Sequence, residues 1–129
     1  MILYIETSAA AKLLVDEPAS CRLAARLDDS VDRDDVLLSS MLLETELRRL
    51  AVRVELAQTA VTHLLDRFDL VETDRTLYRE AGLLPGRHLR SLDALHLAAA
   101  LRIGADVMVT YDRRQADAAD AAGLPVLAP

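Results

Sequence analysis

Five short apolar runs, separated by segments of helical pattern, constrain this chain more than any other feature. The runs are Ile2–Ile5, Val36–Ser39, Leu70-Val71, Val107–Thr110 and Val126-Leu127. Helical patterning fills the gaps: from Thr7 or Ser8 to about Leu14, Pro18 to about Asp28, Ser39 or Ser40 to about Arg53, Glu55–Asp66, Thr73 or Asp74 to the stop at Pro85-Gly86, Ser91–Ile103, and Arg113–Ala122. Strands that alternate with helices cannot pair by hairpins, so they form a parallel sheet covered on both faces. The reactive cleft of such a sheet opens at the carboxyl ends of its strands. Glu6 and Asp112 stand at those ends.

With 129 residues the chain is one domain, 1–129, long enough for a true core. The core must be Leu, Ala and Val, because Trp is absent and Phe occurs once. An apolar content of 52 % is rich for this size and leaves surface to meet a partner or a second copy. No apolar stretch approaches the roughly 18 residues a membrane span needs. Cys21 is the only cysteine, which excludes an internal disulfide and fits a reducing cytoplasm. The formal charge of −6 argues against broad coating of nucleic acid, though not against a nuclease whose acids are part of that count. Fourteen of the 15 basic residues are Arg, the better planar clamp for phosphate. Arg87, Arg90, Arg113 and Arg114 lie near the acids in sequence and are the expected phosphate contacts. The polar run Asp28 to Asp35 lacks the glycine of a calcium loop and is expected to be a solvated turn.

Four carboxylates stand out. At 100° per residue, Leu42, Leu43, Leu47 and Leu50 form one helical stripe, and Glu46 falls inside it. Glu44 lies outside, four residues before Arg48, as an ordinary surface pair. Asp93 is in the first turn of a helix that is apolar nearly all round, the mark of a helix in the centre of a fold. Asp112 ends a strand and has Gln115 three residues on, a capping-box pattern compatible with facing the cleft. Glu6 directly follows the first strand. Each would cost several kcal/mol to desolvate alone, and together they would repel unless a divalent cation joined them. Thr110 and Arg113 are expected to donate to Asp112 or its bound water. His96, three residues after Asp93, reads as a hydrogen-bonded core histidine rather than a ligand.

Several stretches together resemble a known family over essentially the whole chain. They are Tyr4-Ile5-Glu6-Thr7-Ser8-Ala9, Ser39-Ser40 through Thr45-Glu46-Leu47-Arg48, Arg90-Ser91-Leu92-Asp93-Ala94-Leu95-His96-Leu97-Ala98, Val109-Thr110-Tyr111-Asp112-Arg113-Arg114, and Ala121-Ala122-Gly123-Leu124-Pro125-Val126-Leu127. The chain resembles the PIN-domain ribonucleases, specifically VapC-type toxins of toxin–antitoxin pairs. The resemblance implies a three-layer α/β/α fold with a central parallel sheet of four to five strands. It implies a Mg²⁺ or Mn²⁺ site, endonucleolytic RNA cleavage, and a homodimer inhibited by a cognate antitoxin. The family's acid positions fall on Glu6, Glu46, Asp93 and Asp112, and Thr7 and Thr110 match its hydroxyl positions beside the metal.

One position departs from the family pattern, which has Asp where this chain has Glu6. The extra methylene adds about 1.5 Å of reach, against a tolerance of about 0.5 Å in a working site. Two readings follow: an active metal-dependent endoribonuclease, or a weakened or inactive module that binds antitoxin or RNA without turnover. A phosphoryl-accepting signalling domain would share the architecture. It would need an acid pair after the first strand and a late Lys, whereas Lys12 is the only lysine.

Overall fold

The computed structural model describes residues Met1–Pro129. Five strands, β1 (Ile2–Ile5), β2 (Val36–Ser40), β3 (Asp69–Val71), β4 (Val107–Val109) and β5 (Val126–Leu127), form one sheet in the order β3-β2-β1-β4-β5. Every pairing is parallel. The central strand β1 is in register with β2 through Leu3 and Leu37 and with β4 through Leu3 and Val107. The chain leaves β1 toward β2 and β3, then returns across β1 to β4 and β5. The order therefore reverses between β1 and β4, where a crevice opens at the carboxyl edge.

Seven helices cover the sheet: α1 (Thr7–Lys12), α2 (Ser20–Asp32), α3 (Leu42–Val54), α4 (Gln58–Leu65), α5 (Arg75–Gly82), α6 (Ser91–Arg102) and α7 (Arg113–Ala121). The period of two along β1 sorts them into two layers. Leu3 and Ile5 point into a core with Leu23, Leu27, Leu43 and Leu47, contributed by α2 and α3. Tyr4 points the other way, into a core with Leu77, Leu97, Ala98, Met108 and Ala119 from α5, α6, β4 and α7. This is the three-layer α/β/α arrangement with five strands. Helix α6 is buried continuously from Ala94 to Ala100, as its unbroken apolar pattern requires.

Three local expectations are corrected. Helix α2 runs on to Asp32, because Leu23, Leu27 and Ser30 continue one buried stripe; the turn comes only at Asp34, with φ +62°. Ser39 and Ser40 belong to β2 rather than capping α3, and the Ser39 hydroxyl donates to the Ile5 carbonyl at 2.7 Å. Helix α1 is capped by the side chain of Glu6 itself, not by Thr7 or Ser8. Asp74 and Asp112 cap α5 and α7, accepting from the N–H of Leu77 and Gln115.

Leu47 is fully buried on the helix that carries Glu46. Leu47→Ala should cost about 2–5 kcal/mol by loss of transfer energy and creation of a cavity. Urea unfolding with an unchanged m-value is the measurement, and a loss under about 1 kcal/mol would contradict this packing.

Candidate active site

The crevice between β1 and β4 widens into an open cleft of about 860 Å³. All four acids line it: Glu6 from the end of β1, Glu46 from α3, Asp93 from the first turn of α6 and Asp112 at the cap of α7. They come from four separate elements, and only the parallel topology brings them together.

Glu6 is the most deeply placed, 6 % exposed. Its Oε2 accepts from the Ser8 N–H at 3.0 Å, the Ser8 hydroxyl at 2.5 Å and the Thr110 hydroxyl at 2.7 Å. Neutral donors thus carry the desolvation cost of that oxygen. Ser8 also accepts from the Tyr111 N–H at 2.8 Å, and Thr110 accepts from the Asp112 N–H at 3.1 Å. One hydroxyl pair therefore ties the exit of β1 to the exit of β4. Ser8 is a functional neighbour that sequence reasoning missed; only the register of β1 against β4 places it there.

Asp112 keeps its cap, with Oδ1 accepting from the Gln115 N–H at 3.0 Å. The Gln115 side chain does not close a capping box. Its Nε2 donates instead to the Asp93 carbonyl at 3.1 Å, pinning the start of α6 to α7. The Asp93 carboxylate accepts no hydrogen bond from any side chain or backbone donor of the chain. Its pKa is raised above the ordinary value, chiefly by burial, then by the negative charges of Asp112 and Glu6; His96 and Arg114 pull the other way. Glu6, Asp93 and Asp112 thus form one electrostatically coupled group.

Glu46 is held differently. Its Oε1 accepts from the Thr7 hydroxyl at 2.9 Å and lies 2.6 Å from His96 Nε2. The His96 ring is 1 % exposed, and its Nδ1 is 2.7 Å from the Tyr4 hydroxyl. Burial pushes the Tyr4 phenol well above its ordinary pKa, with the nearby Ser40 and Ser39 hydroxyls offsetting part of the shift. His96 is a core histidine with two hydrogen-bonded nitrogens, as its apolar helix suggested.

The basic residues divide. Arg90 and Arg114 line the cleft as expected, but Arg113, exposed on α7's first turn, does not. Arg87 lies beside a smaller apolar cavity of about 260 Å³ that shares only Arg114 with the cleft. Arg49 and Arg53 of α3 complete the cleft wall and were not anticipated. At 100° per residue Arg53 falls inside the Leu stripe beside Glu46 and Arg49 at its edge, so the period that singled out Glu46 could have found them.

No three His, Cys, Asp or Glu side chains stand close enough to hold an ion between them as they are. The donor chemistry nevertheless suits a hard divalent cation, since all four acids offer oxygen. Each also keeps an oxygen free of hydrogen bonds: Glu6 Oε1, Glu46 Oε2, Asp112 Oδ2 and both oxygens of Asp93.

A PIN domain is matched over residues 3–121. The chain belongs to the PIN-domain family. Among its relatives, Ribonuclease VapC35 of Mycobacterium tuberculosis is 40 % identical, covering 99 % of this chain and 97 % of its own. Ribonuclease VapC46 of the same organism is 39 % identical over 98 % and 97 %. Two more distant structures share the PIN fold. M. tuberculosis VapC20, described as a sarcin–ricin loop cleaving toxin, superposes with a TM-score of 0.77 at 20 % identity, covering 98 % of this chain and 99 % of that one. VapBC2 from Rickettsia felis, bound to a DNA fragment from their promoter, gives 0.75 at 16 %, with 98 % of both chains covered.

The raised pKa of Asp93 has a consequence for stability. A carboxyl whose folded pKa exceeds its unfolded value, near 3.8, favours folding only below that range, and its stabilisation is lost as pH rises through the folded pKa. Asp93→Asn should therefore raise the Tm of the metal-free protein at pH 7, and the gain should vanish below the carboxylate range. Identical melting of both proteins at pH 7 would contradict the placement of Asp93.

Proposed function

We propose that this protein is a metal-dependent endoribonuclease and the toxin of a toxin–antitoxin pair. The observation that carries the reading is the meeting of four carboxylates from four elements in one cleft, in a chain similar along its whole length to VapC ribonucleases. Glu6 and Asp93 hold a Mg²⁺ or Mn²⁺ ion directly, and Asp112 and Glu46 hold it directly or through water. When bound, such an ion lowers the pKa of a water nucleophile and stabilises the leaving oxygen of a phosphodiester.

The chain's own residues do the rest. Asp112 and Glu46 each present a free oxygen that can orient a water on the scissile phosphate. Arg90 and Arg114 on one side, with Arg49 and Arg53 on the other, hold the flanking phosphates. No carboxylate lies within 4 Å of any of these four guanidinium groups, so their charge remains available to RNA. Unpaired, splayed RNA suits an open cleft of this kind better than a duplex does.

The cognate antitoxin lays an apolar segment on the early helices and reaches the acids with an Arg. Exposed Val31, Val52 and Val54 on α2 and α3 supply apolar surface for that contact, and Leu83, Leu92 and Leu101 supply it for a homodimer. No helix is long and apolar enough to cross a membrane. The cytoplasm is the compartment in which RNA and antitoxin meet the toxin, and the exposed free thiol of Cys21 is compatible with it.

Asp93→Asn should abolish metal-dependent RNA cleavage and growth arrest; undiminished cleavage would overturn the reading. The threefold anchoring of Glu6 Oε2 favours one further reading, in which the protein binds its partners without turnover. Comparing the chain with Glu6→Asp in Mg²⁺ and then Mn²⁺ separates the two. An active site gives comparable robust rates in both proteins, whereas an inactive one gives cleavage only after the substitution.

A further inference from the structure

Behind Glu46 lies a buried chain of side chains that the proposed chemistry does not itself use. Tyr4 from the central strand touches His96 of α6, and His96 touches Glu46 of α3. The three elements meet around the carboxyl edge of the sheet. The ring of His96 and the phenol of Tyr4 are both essentially inaccessible to water.

The protonation pattern follows from what each atom can do. A carboxylate oxygen accepts and never donates, so His96 Nε2, at 2.6 Å from Glu46 Oε1, carries a hydrogen. The Tyr4 hydroxyl has one partner in hydrogen-bonding geometry, His96 Nδ1 at 2.7 Å. The Thr7 hydroxyl also lies 3.2 Å from Nε2. With both ring nitrogens held, the imidazole cannot turn away from Glu46.

We propose that Tyr4 and His96 act as a positioning relay for Glu46, in which Nε2–H holds the carboxylate and the Tyr4 hydroxyl braces the ring from Nδ1. The relay clamps Oε1, together with the Thr7 hydroxyl at 2.9 Å, and leaves Oε2 free toward the cleft. His96 is thus a positioning residue, and Tyr4 holds its ring from the far side at Nδ1. The functional importance of the relay rests on the nuclease reading, but its proton arrangement does not.

Nitrogen-15 NMR of His96 in the metal-free, full-length protein tests the arrangement directly. The expected spectrum shows a protonated-type Nε2, and Tyr4→Phe shifts the Nδ1 resonance. An unprotonated-type Nε2, or an Nδ1 resonance unmoved by Tyr4→Phe, would overturn the relay. Calorimetric Mn²⁺ binding tests its consequence. His96→Leu should weaken binding about tenfold, the usual scale for a residue that orients a ligand. His96→Gln, whose amide N–H can replace Nε2–H, should stay within about twofold of the parent on the same scale. Equal affinities in all three proteins would remove the positioning role, and should His96→Leu fail to fold, the parent's spectrum still decides. A parent protein that binds Mn²⁺ with the expected spectrum but cleaves no RNA defeats the nuclease reading and leaves the relay standing. One that binds no Mn²⁺ defeats the metal reading, and the spectrum again decides the relay.

Discussion

Glu6 is the residue through which strand, helix and site are joined. Its N–H donates to the Val109 carbonyl at 3.0 Å, extending the β1–β4 ladder by one residue. Its carbonyl accepts from Ala9 and Ala10 and starts α1, while its side chain caps the same helix. A carboxylate so buried demands compensation, and the compensation comes from Ser8 and Thr110 rather than from a cation. Glu46, less buried, is held by Thr7 and His96. The arginines of the cleft stay unpaired, and the ion pairs of the chain lie elsewhere, as in Arg48 with Glu44, Arg67 with Asp28 and Arg102 with Asp74. A cleft whose arginines had neutralised its acids could attract neither cation nor phosphate. Here a negative floor and a positive wall persist side by side.

That separation explains why the four acids are not equivalent. Glu6, Asp93 and Asp112 feel one another, and the cost appears on Asp93, whose carboxylate no donor in the chain supports. Glu46 sits behind its own clamp, braced from the opposite face of the sheet. A cation gains most from the first three, because relief of their mutual repulsion adds to direct attraction. Glu46 contributes a carboxylate whose orientation is already settled before any ligand arrives, which reduces the ordering cost of a working geometry.

What could be read from the sequence was what depends on local pattern. Alternating apolar runs and helices gave the parallel sheet, the 3.6-residue period separated Glu46 from Glu44, and the spacing of Asp112 and Gln115 announced a cap. What failed depends on contacts distant in sequence. Ser39 and Ser40 look like caps because Ser commonly is one, yet β2 continues through them since their neighbours across the sheet are already in place. Asp28–Asp32 looks like a turn by composition, although the stripe of Leu23, Leu27 and Ser30 was available to extend α2. Ser8 and the link between His96 and Glu46 carry no local signal. Each becomes meaningful only when α3, α6 and the ends of β1 and β4 are brought to one edge.

The glutamate at position 6 can be weighed against the aspartate of the family in these terms. Glu differs from Asp in two ways: an additional rotatable bond and about 1.5 Å of reach. The additional bond would ordinarily leave the carboxylate free to wander, at an entropic cost of ordering it on each binding event. Here three donors on Oε2 remove that freedom in advance. Only reach remains as a difference, and reach is a question of geometry rather than of looseness. Mg²⁺, which insists on near-ideal octahedral ligands at short distance, is sensitive to that question. A cation of more permissive geometry is less so. Any defect introduced by Glu6 is therefore a matter of which ion the cleft accepts before it is a matter of whether the fold can assemble a site.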